Sequence, residues 1–164
     1  MKKTDERLRL MSEENFAKIM AKAAYIDARL ATYLIMFVMG EGFHDDAASD
    51  RKNVLENIVG SLTFAEKAEL VSKHFSPGGQ NRLNIEGFKT TLFRIAELRN
   101  MCAHSPYVSS PILRALVNDG VCNEEFYDEF MVEAEKIAPF TLMVFEEENP
   151  GLMAALQESN DQKD

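Results

Sequence analysis

Ile85-Glu86-Gly87-Phe88-Lys89-Thr90-Thr91-Leu92-Phe93-Arg94-Ile95-Ala96-Glu97-Leu98-Arg99-Asn100-Met101-Cys102-Ala103-His104-Ser105-Pro106 decides the fold. Wound at about 100° per residue, Ile85 to Ala103 gathers Ile85, Phe88, Leu92, Ile95, Ala96, Leu98, Cys102 and Ala103 into one broad apolar arc. Thr90, Arg94, Glu97 and Met101 fall on the far side. This is the pattern of a core helix. Arg99 lies near the middle of the apolar arc. A guanidinium there demands a carboxylate, a phosphate or a wet groove. Pro106 turns Ser105 away from helical angles, so the helix ends at about His104. The carbonyl dipoles of a helix C-terminus favour a protonated imidazole there, and Asn100, one turn earlier, can steer the ring.

Working outward, the remaining segments are also helical. Ser12 followed by Glu13 and Glu14 starts a first helix, whose buried stripe is Phe16, Met20, Ala23, Leu30, Leu34 and Phe37. Gly40 and Gly42 end it. Asp27 sits on that stripe, which makes it a candidate partner for Arg99. Phe43 to Ser49 reads as a polar connection, and a second helix runs from about Ser49 to Val59. Thr63-Phe64-Ala65-Glu66 is a capping box that opens a third helix reaching His74 or Phe75. Ser76 to Asn81 is a loop. Beyond the motif helix, a short helix is expected over Ile112 to Asn118. Asn123 then caps a last long helix with Phe126, Phe130, Ile137, Thr141 and Phe145 on one face, which Pro139 bends or splits. No strand-like alternation supports a sheet. The expected fold is all-α, a bundle of about five helices. Residues 1–11 form a charged extension, 12–148 one domain, and 149–164 a polar tail, disordered beyond Leu156.

Composition narrows the function. The chain has 164 residues, 46% hydrophobic and 27% charged, which suits one globular domain. Its net charge of −9 opposes wrapping of nucleic acid by the whole surface. Part of that charge is terminal: in residues 146–164 six acids stand against Lys163, leaving −5. Any anion site must therefore be local. Cys102 and Cys122 make no metal-binding pattern, and reduced thiols in a cytoplasm are expected. His44-Asp45-Asp46 has no second ligand cluster and reads as a solvated loop. No cofactor or metal is expected. The uncharged apolar run Leu30 to Gly40 is short for a membrane span. Neither a membrane nor DNA is an expected partner.

Arg99, Asn100 and His104 form an Arg-Asn-x-x-x-His pattern that resembles the signature of the HEPN superfamily, small helical bundles that include many metal-independent ribonucleases of toxin–antitoxin and antiphage systems. Leu62-Thr63-Phe64-Ala65-Glu66-Lys67, opening the middle helix, is also similar to such domains. The resemblance spans roughly residues 12–148. It implies an endoribonuclease in which Arg99 and His104 are catalytic, Asn100 orients ring or phosphate, and Asp27 supports. It further implies a homodimer with both Arg/His pairs lining one cleft, and an antitoxin or regulatory partner. Tyr107 stands three residues after His104, where some of these toxins carry a modified Tyr at two, so that regulation is not carried over. A different class fits the acidic charge: a non-catalytic helical interaction module in which Arg99 and His104 are structural. An antitoxin-like protein that binds a basic toxin is a third possibility.

Overall fold

The computed structural model describes residues 12–75, 85, 87–104 and 124–161. Among them there are seven α-helices and no strand: α1 (Glu13–Met39), α2 (Ser49–Gly60), α3 (Phe64–His74), α4 (Phe88–His104), α5 (Glu124–Lys136), α6 (Ala138–Glu148) and α7 (Pro150–Asp161). The expected all-α class is observed. Two short 3-10 turns, Gly40–His44 and Asp46–Ala48, join α1 to α2.

Local chemistry sets most boundaries. Ser12 caps α1 by accepting from the Asn15 N–H at 3.1 Å. Gly40, at φ 56°, takes the left-handed turn that releases the chain. At Thr63 the capping box forms as expected: Thr63 Oγ1 accepts from the Glu66 N–H, and the Glu66 carboxylate accepts from the Thr63 N–H at 2.7 Å. Pro139 lies in the first turn of α6, so it splits the expected last helix instead of bending it. The expected tail also differs. Pro150–Asp161 is a helix, exposed along most of its length, with Leu152 and Leu156 facing outward. Its inner face is too small to leave an apolar stripe in the sequence. The expected helix over 112–118, the cap at 123, Tyr107 and Cys122 lie outside the described residues.

The spine of the fold is α1, which touches α2, α3, α4, α5 and α6. Ala23, Leu30 and Leu34 of its expected stripe are buried, with Ile19, Ile26 and Tyr33 beside them. Phe37 leaves the core and stacks instead on His74, centroids 4.7 Å apart. By length and composition α1 could cross a membrane, since the Glu13–His44 stretch holds an 18-residue window of mean hydropathy 1.3. Charges interrupt that window, which is why the uncharged run Leu30 to Gly40 understates it. In this fold 39% of the window is buried, and the helix is the common wall of the core.

Four rings lock one end of the bundle. Phe140 of α6 lies 5.4 Å from Tyr33 of α1, 5.1 Å from Phe75 after α3 and 5.2 Å from Phe88 at the start of α4. Tilted and edge-to-face rings of this kind add to simple burial. Because Phe75 meets Phe88 at 4.7 Å, α3 and α4 pack as an antiparallel hairpin against α1. His44 Nε2 and the Glu147 carbonyl, 3.0 Å apart, tie the 3-10 turn to α6. Arg29 joins α1 to the end of α6 through Glu148, its guanidinium over the Tyr25 and Phe145 rings.

The ring cluster should dominate stability. Phe140→Ala is expected to lower the unfolding free energy by about 3–5 kcal/mol, the usual cost of emptying an aromatic core site. Leu142→Ala, two residues away but 55% exposed, should stay within about 0.5 kcal/mol. Urea unfolding followed by circular dichroism measures both.

Candidate functional site

Opposite the ring cluster, α1, α3 and α4 diverge around a cleft of about 550 Å³. Its apolar walls come from Met20, Ala23 and Ala24 of α1 and from Leu62, Phe64 and Ala65 at the start of α3. Its polar groups are Asp27, Thr63, Lys67, Arg99 and Asn100. Sequence spacing explains the convergence. Phe75 and Phe88 fix where the α3–α4 hairpin turns. Lys67 and Arg99 lie eight and eleven residues away from that turn, at its far end.

Asp27 and Arg99 share the cleft, but they are not the ion pair the sequence suggested. Asp27 Oδ2 accepts instead from Lys67 Nζ at 2.8 Å, and the Lys67 side chain is 6% exposed. The reason is register: on α3, Phe64, Lys67, Ala68 and Val71 share the buried face, so Lys67 reaches α1 from inside the packing. The second oxygen, Asp27 Oδ1, is buried with no hydrogen-bond partner. Sequence spacing alone assigns no partner to Lys67. The signal was present, because a lysine at i+3 of a buried stripe calls for a partner as much as Arg99 does.

Arg99 takes the wet-groove alternative. It is partly buried, and its Nη1 donates to Asn100 Oδ1 at 3.0 Å. Among the described residues no carboxylate pairs with it. A guanidinium has five N–H donors, and the bond to Asn100 uses one of them in a residue that lines the cleft. Asn100 thus acts on Arg99, where the sequence also gave it the role of steering His104. His104 closes α4; its side chain lies outside the described residues. Cys102, one turn from Leu98, is fully buried and belongs to the packing face.

A second cleft, of about 630 Å³ between α4 and α5, shows the contrast. Its cations are matched: Arg94 meets Glu129 and Glu97, each at 2.6 Å, and Lys136 meets Glu133 at 2.6 Å. Glu97 and Glu129 hold the Arg94 guanidinium above its ordinary pKa. Among the described residues that line the Arg99 cleft, two cations face one acid, which leaves a surplus positive charge suited to an anion. Among the described residues, no three His, Cys, Asp or Glu side chains gather as a metal site. His44-Asp45-Asp46 is a turn, in which Asp45 accepts from the Ala47 N–H at 2.9 Å. No family model, curated protein or solved structure matches the chain.

Stability separates the two cations. Lys67→Ala strands Asp27 and should cost about 3 kcal/mol, the lower end for breaking a buried pair because Asp27 is one-third exposed. Arg99→Ala should cost under about 1 kcal/mol, as expected of a residue in an open groove. Equal losses in urea unfolding would make Arg99 structural.

Proposed function

We propose that this chain is a HEPN-like, metal-independent endoribonuclease of a toxin–antitoxin or antiphage system, cytoplasmic and active as a homodimer. The observation that carries this reading is the Arg99 guanidinium, held by Asn100 and left without a carboxylate among the described residues, in a cleft open to a ligand. The motif Arg99-Asn100-x-x-x-His104 supplies the second catalytic group. His104 of the same or a partner chain takes the proton from a ribose 2′-hydroxyl, whose oxygen attacks the adjacent phosphorus. The bond from phosphorus to the 5′-oxygen breaks, and that oxygen takes a proton from the other copy's protonated His104 or from water. Arg99 stabilises the negative charge that grows on the phosphoryl oxygens. A 2′,3′-cyclic phosphate and a 5′-hydroxyl result.

The competing reading, a non-catalytic interaction module, is favoured by the net charge of −9, which opposes non-specific attraction to RNA. Cleavage decides between them. Purified protein with a mixed-sequence RNA in EDTA should yield cyclic-phosphate ends. Arg99→Ala and His104→Ala should each slow cleavage by about 10²–10³-fold with the fold intact. Undiminished cleavage in both variants would refute the assignment, and so would a wild-type protein that leaves every RNA whole.

A further inference from the structure

We propose that the Arg99 cleft reads the base beside its phosphate, and that Asp27 selects a base bearing an exocyclic amino group over uracil. The inference rests on the proposed phosphate site at Arg99 and adds a base preference to it. Exposure places the reader. The Asp27 side chain is one-third exposed, while its Oδ1 is buried. The carboxylate edge that opens on the cleft is therefore Oδ2, the oxygen that accepts from Lys67 Nζ at 2.8 Å. An ionised carboxylate has about four lone-pair sites, and Lys67 fills one of them. Pairing with Lys67 neutralises the charge of Asp27 but leaves it a hydrogen-bond acceptor.

The other polar groups of the cleft serve differently. Arg99 only donates. Asn100 Oδ1 accepts from Arg99, and Thr63 Oγ1 is engaged with Glu66 in the capping box. Asp27 is the one carboxylate that lines the cleft among the described residues. A volume of about 550 Å³ lies within the roughly 300–1,000 Å³ of small-ligand pockets, and Met20, Leu62 and Phe64 supply apolar walls for a flat ring. The amino groups of cytosine, adenine and guanine are donors that such an acceptor takes. Uracil carries a carbonyl where cytosine has its amino group, so that oxygen would meet the carboxylate acceptor against acceptor. A bond left unmade at a partly desolvated carboxylate sets the discrimination at about tenfold.

Calorimetric titration of the full chain tests this without any cleavage. The probes are three 2′-O-methyl dinucleoside monophosphates, which cannot react: the dicytidine, the diuridine, and the di-pyrimidin-2-one analogue, in which hydrogen replaces the cytosine amino group. The dicytidine should bind about tenfold tighter than either of the others. Asp27→Asn should bring cytidine and uridine to equal affinity, because an amide accepts from an amino group or donates to a carbonyl. Should Asp27→Asn fail to fold, the double variant Asp27→Asn with Lys67→Met removes both charges of the pair, keeps Arg99 and should show the same levelling. Arg99→Ala should weaken all three probes and leave their ratio as it was. No preference for the dicytidine in the wild type, an analogue that binds as tightly as the dicytidine, or a preference that survives in the Asp27 variants would overturn the base readout alone. If no probe binds, or if Arg99→Ala leaves every affinity unchanged, the phosphate site is refuted and the readout with it.

Discussion

The ion pair between Lys67 and Asp27 is the constraint on which the rest of the site depends. It engages the one acid that lines the cleft among the described residues, Asp27, and it fixes α3 against α1 at the open end of the bundle. Its contribution to stability is not the reason it stands out. Two well-packed apolar residues would hold the helices as well, since the desolvation of a nearly buried ammonium offsets much of the attraction. What the pair does, and an apolar contact would not, is place a carboxylate beside an arginine without letting the two cancel. A guanidinium on the packed face of α4 thereby keeps its charge available.

The fold supplies rigidity from the other end. Tyr33, Phe75, Phe88 and Phe140 bind α1, the close of α3, the start of α4 and α6 into one cluster. From Phe88 to Arg99 the helix rises about 16 Å at 1.5 Å per residue. Helix α4 therefore works as a strut, anchored in the rings at one end and presenting Arg99 and Asn100 at the other. Between them Leu92, Ile95, Ala96 and Leu98 are buried, which leaves little freedom for the strut to turn about its axis. Precise placement of a cation before its ligand arrives is the condition for stabilising charge in a transition state.

Much of this was legible in the sequence, and the failures have a common cause. Helices α1 to α4 follow from caps and period, because Ser12, Gly40, Thr63 and Glu66 encode their own local hydrogen bonds. The arc on α4 is correct for every member but Ala103, which is exposed at the helix end. What period alone does not encode is the pairing between helices. Asp27 and Arg99 each lie on an apolar face, and so does Lys67; choosing among the three requires the rotation of α3 against α1. Phe37 shows the same limit: period places it on the stripe of α1, yet it is exposed and its ring sits tilted against His74, while Met39 beyond it is buried. The final helix, Pro150–Asp161, left no periodic signal because almost nothing covers it.

The acid balance of the chain then becomes part of the argument about function. A protein of net charge −9 draws little from non-specific attraction to a polyanion, and each phosphate it neutralises contributes a salt slope of only about 0.7 for a single strand. With one surplus cation among the described residues, the cleft would, on the proposed function, engage a single phosphate. On that proposal, affinity for RNA would come from elsewhere: from apolar contact with the flanking sugar and base, or from a second cleft brought alongside by dimerisation. Two copies would double the phosphates engaged without changing either site, and the gain would follow the effective concentration set by the dimer and not a broad basic surface.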